Sequence, residues 1–441
     1  MPAYLPRVLL ILEVKALHVV ALSGLLVSSA ALAQAADPKL LADIQKIKCV
    51  DAHSRLLVNG VEPPSAAPSR REPATLPLRL RGEGPEWTRA WKALYRINLA
   101  DADTDETISV LQEAREKLRR EKGAAFAGAM LDVAGVDLAF VEGEPPPSAA
   151  GETPTRFRFL PRADIFLRPF SQDSAEGLKP FFIAARTYTL PKTLDEFLKR
   201  IVTPGLERWL GGGAVGVDIA IAEYRPINFD DVNAEVARAA YGRLAVAGEL
   251  GASAADLKAF QDYTFRYIAR EAGRLGLVVH IHTGMARGAG RDVGNGNPLL
   301  LEPMLNDPNT QKTRFMLVHG GFPFDKEAAP LLLRPNVWAD TSVQNQVRSP
   351  TELAETLRWW FELAPEKVLF GTDAWSDPAA AQLRWPELTL LGAETTRQAL
   401  ALALGRMVSE GLITRARALE IAEAVLRDNA LELHGLNEKQ G

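Results

Sequence analysis

Six histidines occur in 441 residues: His18, His53, His280, His282, His319 and His434. Four of them fall at the ends of short apolar runs, His53 in CVDAH, His280 and His282 in VVHIH, and His319 in FMLVH. A further run, VLFGTD, ends on Asp373. Imidazoles and a carboxylate that converge at one place suit a divalent transition metal, most simply one zinc ion. Such an ion polarises a substrate carbonyl and lowers the pKa of bound water. Asp373 would take the proton from that water and hand it to a leaving group. His319 would hydrogen-bond the carbonyl oxygen as it gains negative charge. Each residue alone reads as a satisfied structural side chain; their grouping on neighbouring runs is what points to chemistry.

The surrounding polar residues carry two readings each. His280 stands equally as a metal ligand beside His282 or as an outer hydrogen-bond partner. Asp51 reads as a strand-end hydrogen-bond acceptor. Glu223 and Arg225, in EYRP, read as substrate contacts or as a surface ion pair. His434, in LELHGL, reads as a surface helix residue. Cys49, the only cysteine, precedes an apolar run and reads as a buried structural thiol.

What must position these residues is an alternation of strand-like runs and helical segments. The runs are 47–53, 133–141, 157–166, 214–223, 277–282, 315–319, 337–342 and 368–373. Eight strands with intervening helices describe an α/β fold of the (β/α)8 TIM-barrel type, with functional groups at the C-terminal strand ends. An open doubly wound sheet is the other arrangement, but no glycine-rich turn follows the first run. Alternation along each strand puts Asp51, His53 and Arg55 on one face, and likewise His280 with His282, Leu317 with His319, and Gly371 with Asp373. Asp218 lies in phase with Ala220 and Ala222. Ser253 and Gly276 bracket one long helix as cap and stop. Nearly 80 residues separate the first two strands, opening with a Pro- and Arg-rich stretch that reads as a lid or a surface insertion. EGEPPPSAAGETPTR reads as a second, surface insertion. From Thr395 onward the pattern is helical, and Trp359, Trp360 and Phe361 read as core.

Residues 1–36 read as a secretory signal, with Arg7 and Lys15 before an apolar stretch and Ala31-Leu32-Ala33 as the cleavage site. The expected location is the periplasm, with the barrel over 46–437 and no membrane contact after cleavage. A net charge of −4 and the lack of a basic block exclude a nucleic-acid partner and leave a small-molecule substrate. Oligomeric state is unread.

The blocks VDAHS, VVHIHTGMARGAG, NPLLLEPMLNDP, FMLVHGGFPFDKEAAPLLLRPNVWADTS, KVLFGTDAW and DNALELHGL resemble the amidohydrolase-related group of metal-dependent TIM-barrel hydrolases. The chain is similar to the amidohydrolase-like domain that some proteins carry fused to a glutamine synthetase domain. The resemblance implies one or two divalent metals and hydrolysis of C–N or C–O bonds, with decarboxylation or isomerisation in some relatives. It implies metal ligation by His53 and His282, a second-metal or substrate role for His319, and ligand and base roles for Asp373. Two departures stand out: Arg55 replaces the second histidine of the first strand, and the fourth strand has no lysine. Arginine stays protonated and does not ligate metal. Three accounts follow. A mononuclear site survives on His53, His282 or His280, and Asp373, with Arg55 turned outward or clamping an anionic group. Alternatively, Arg55 pairs with Asp373 or Asp218 in a non-catalytic periplasmic binding barrel. The third account is metal-free lyase chemistry.

Overall fold

The structure, a computed structural model, describes residues 36–56, 76–99, 105–143, 156–187, 189–284, 292–377, 380 and 382–437. The expected leader up to residue 35, residues 57–75 of the Pro- and Arg-rich stretch and residues 144–155 of the second insertion lie outside the described residues. No helix among the described residues is long and apolar enough to cross a membrane.

Among the described residues, eight parallel strands carry the fold: β1 (Cys49–Ser54), β2 (Val136–Glu142), β3 (Phe157–Leu160), β4 (Gly216–Ile219), β5 (Val278–His282), β6 (Phe315–Val318), β7 (Val337–Asp340) and β8 (Val368–Leu369). They pair in sequence order as β1-β2-β3 and β4-β5-β6-β7-β8. Backbone hydrogen bonds join the two groups at both seams. Val215 N donates to Phe159 O (3.1 Å) and Asp218 N to Pro161 O (2.9 Å), which ties β3 to β4. Ala52 N donates to Phe370 O (2.9 Å) and Asp373 N to His53 O (2.7 Å), which ties β8 to β1. Parallel neighbours require crossover helices, and the apolar β-branched runs are buried on both faces as that arrangement demands. The expected (β/α)8 architecture is the one observed.

The barrel interior below the strand ends is filled by Val50, Ala52, Phe140, Leu160, Val278, Met316, Val318 and Leu369, joined by Ala430 and Leu433 from the C-terminal helix Asn429–Leu433. Each large side chain buried this way contributes about 1.5–3 kcal/mol relative to exposure. Outside the strands, a larger apolar layer packs the helices. The helix Ala254–Leu275 begins at Ser253, whose Oγ accepts from Asp256 N (3.1 Å), and stops at Gly276, which takes φ 77°. The helix Trp385–Ser409 starts ten residues before the stretch beginning at Thr395. From it Arg397 donates to Ala134 O and Ile47 O (3.0 Å each), tying the loops that flank β1 and β2. Trp360 and Phe361 are core, whereas Trp359 is 41% exposed.

Two expectations about strands need correction. The third and fourth strands are shorter than their apolar runs, because Asp164–Leu167 turns into a helix and Ile221–Glu223 into a 3-10 turn. Strict alternation also fails at the strand ends. Leu317 packs in the outer layer and Val318 in the interior. His319 reaches the interior as well, by adopting φ 69° rather than by sharing a face with Leu317. In β1 the pairing shifts between Asp51 and Ser54, so Asp51 turns to Thr372 while His53 faces the barrel mouth.

Candidate metal centre

Three strands aim ligand atoms at one point. His53 from β1, Asp218 from β4 and His282 from β5 are all buried, and their ligand atoms lie within 4.8 Å of one another. His282 Nε2 stands 3.1 Å from Asp218 Oδ1. The His53 and His282 rings meet edge to face, with centroids 5.0 Å apart. Burial pushes both imidazoles down to about 3, so both are neutral and keep a lone pair for ligation. Neither ring nitrogen of His53 has a hydrogen-bond partner, although the side chain is fully buried. Leaving such a group unpaired costs about 1–3 kcal/mol, which an ion at this point would relieve.

Among the described residues, charge around the point is unbalanced in the direction a cation corrects. The guanidiniums of Arg55 and Arg162 face five carboxylates: Glu142, Asp164, Asp218, Glu223 and Asp373. Burial holds Glu142 and Asp164 up at about 7, with Asp218 as a like-charged neighbour raising both. The nitrogen and oxygen donors present therefore fit a divalent metal, with His53, Asp218 and His282 as the residues to hold it.

Asp373 is engaged differently from the sequence expectation. Arg55 Nε donates to its Oδ1 (2.8 Å) and Arg55 Nη2 to its Oδ2 (3.0 Å), a bidentate pair. His53 Nε2 lies 3.7 Å from the same Oδ1. Asp373 thus sits beside the ligand group with both oxygens turned to Arg55. Asp218 occupies the carboxylate place in the cluster instead. Arg55 is neither swung outward nor free to clamp an anion.

The remaining expected residues divide clearly. His319 joins the group, its ring centroid 4.9 Å from that of His282 and 5.9 Å from that of His53. His280 does not: its Nε2 stands 2.9 Å from Nε2 of His434, lower in the barrel. That contact also corrects the surface placement of His434, which is buried against Phe140. Arg225 is held within the fold, donating to Asp262 (2.6 Å) and Gln261 (2.8 Å) and lying over the Phe229 ring. Asp51 accepts from the Thr372 hydroxyl (2.5 Å), Thr372 N (2.9 Å) and His53 N (3.3 Å), which fixes the backbone at the ends of β1 and β8. Sequence reasoning missed Glu142, Arg162, Asp164, Asp340 and Ser342. A usable signal existed only for Asp218, whose phase on the fourth strand was visible.

Residues 219–436 match the model of a family described as Amidohydrolase. Among solved structures, the chain is similar to a protein from Lactobacillus casei described as a metal-dependent hydrolase, with 17% identity, a TM-score of 0.62, and coverage of 91% of this chain and 99% of that one. It is similar to a uronate isomerase from Thermotoga maritima (14% identity, TM-score 0.58, 90% and 96% covered). A glucuronate isomerase from Caulobacter crescentus is alike to the same degree (14%, 0.58, 91% and 94%). At such identities these likenesses establish the barrel fold. None of the curated proteins compared matches the chain.

Proposed function

From the match of residues 219–436 to the amidohydrolase family, we propose that the chain is a metal-dependent hydrolase acting on a C–N or C–O bond of a small molecule. The observation that carries this reading is the buried His53, Asp218 and His282 group, with both nitrogens of His53 left without a partner. One zinc ion is the simplest occupant of a two-nitrogen, one-oxygen set that leaves a position open. When bound, such an ion polarises a carbonyl and brings the pKa of its water near 7. His53 and His282 supply neutral imidazoles, and Asp218 supplies the charge. Asp51 accepts from His53 N and from Thr372, and so fixes the two strand ends on which His53 and Asp373 sit. Arg55 holds Asp373 beside the centre through a bidentate pair.

The pairing of Arg55 with Asp373 favours, on its own, a barrel that binds without cleaving. Asp218 weighs against that reading because it restores a carboxylate to the cluster. Metal analysis decides between them. The purified protein is stripped with a chelator, reloaded, desalted and measured by mass spectrometry of elements. We expect about one equivalent of metal, lost in both His282→Ala and Asp218→Asn. A wild type that retains no metal after reloading overturns the hydrolase reading. We further propose export to the periplasm on the strength of the leader at 1–36. N-terminal sequencing of the mature protein checks this, and a start at Met1 refutes it.

A further inference from the structure

We infer that Ser342 and Asp340 are positioning residues that fix His319 as its Nδ1–H tautomer, leaving Nε2 as the acceptor nitrogen of the ring. The proton count leads there. Asp340 Oδ1 accepts the backbone N–H of His319 (2.8 Å) and of Ser342 (3.1 Å), so a proton on this carboxyl belongs on Oδ2. Ser342 Oγ lies 2.6 Å from the same Oδ1 and has one hydrogen to give, which therefore goes to Asp340. Ser342 Oγ is then an acceptor toward His319 Nδ1, 2.9 Å away. Nδ1 must carry the hydrogen of the neutral ring, and Nε2 must carry the lone pair.

Three described neighbours hold His319 in one orientation. Its backbone takes φ 69°, a left-handed conformation that costs a β-carbon-bearing residue about 1–2 kcal/mol. Such strain persists only where neighbours over-determine it. Here Asp340 holds the amide, Gln344 Nε2 donates to the carbonyl (3.0 Å), and Ser342 holds the ring. All three clamps come from β7 and the turn after it, a segment with no ligand of its own. The ring is thereby set nearly perpendicular to that of His282.

The consequence reverses the sequence expectation for this residue. An acceptor at Nε2 takes up a proton from water or a substrate hydroxyl; it does not donate to a carbonyl oxygen that is becoming negative. This use rests on the hydrolase reading, but the tautomer does not, so it is tested on metal-free protein. The probe is a long-range proton–nitrogen spectrum of chelator-treated protein labelled with 15N-histidine, near neutral pH. His319 is assigned by the signal that vanishes in His319→Gln. Wild type is expected to show a single Nδ1–H form at His319. Ser342→Ala is expected to lose it to a mixture or to Nε2–H, and Ser342→Thr, which keeps the hydroxyl, to retain it. An Nε2–H or doubly protonated ring in wild type overturns the inference, as does an unchanged tautomer in Ser342→Ala. Should Ser342→Ala fail to fold, the wild-type and Ser342→Thr spectra still decide. Metal content plays no part in the readout, so failure here is distinct from failure of the proposed activity.

Discussion

Replacing Arg55 by methionine should make stability respond to metal in a way that the wild type does not. Asp373 is fully buried, and its two oxygens are held by Arg55 at 2.8 and 3.0 Å. Removing one partner of a buried pair costs about 3–5 kcal/mol, and the lower end applies because the Arg55 side chain is 31% exposed. For 441 residues the unfolding entropy is about 0.9 kcal/mol per degree, so a loss of about 3 kcal/mol lowers Tm by about 3 °C in chelated protein. Metal should reverse the deficit. Asp373 Oδ1 stands 3.7 Å from His53 Nε2 and, with Arg55 gone, can turn into the ligand group as a further donor. If that donor tightens binding about 100-fold, the gain is about 2.7 kcal/mol, nearly the whole deficit. The assay is paired calorimetric melting of both proteins, chelated and metal-saturated, together with competition against a chromophoric chelator. A variant whose melting deficit is the same with and without metal, and whose affinity is unchanged, refutes the idea that Arg55 restrains a potential ligand.

Two other predictions follow from buried groups. The Cys49 thiol is pushed up to about 11 by burial, so a disulfide reagent at pH 8 should not react with native protein and should titrate one thiol in denaturant; reaction in the native state contradicts the packing around it. Asp164 is held near 7, chiefly by burial, against an ordinary value near 3.8. The folded state therefore keeps a proton that the unfolded chain has released, and its stabilising effect is full below about pH 4 and lost as pH rises through about 7. In urea unfolding of chelated protein, the stability of wild type relative to Asp164→Asn should fall across that window, and a flat difference rules the linkage out.

His53 and His282 were legible because a buried parallel strand that ends in histidine and a short turn leaves few structural uses for the imidazole. The eight-strand rhythm was legible for the same reason, since each apolar run is too short for a helix and too regular for a loop. Asp218 was visible in phase but not as a ligand, because one partner lies on the adjacent strand β5 and the other across the barrel on β1, and alternation says nothing about distance. His319 was placed correctly for the wrong reason: the left-handed turn that aims it depends on Asp340 and Ser342, which are distant in sequence. His434 was misplaced because only the closed barrel reveals a floor for it to enter. Arg55 and Asp373 are 318 residues apart, and their pairing could be posed from charge but not resolved from other partners. Strand lengths were overestimated where polar groups such as Arg162 and Asp164 turn the chain toward the mouth.

The contact between His280 and His434 spans 154 residues, and Ala430 and Leu433 complete the same interior layer. A nascent chain that has produced all eight strands still has an open floor, and its central cavity stays wet until residues 430–434 arrive. Vectorial synthesis thus leaves the barrel unable to lock until its last helix, Asn429–Leu433, has been made. Shortening the chain to residue 428 would remove the stopper while sparing every metal-site residue.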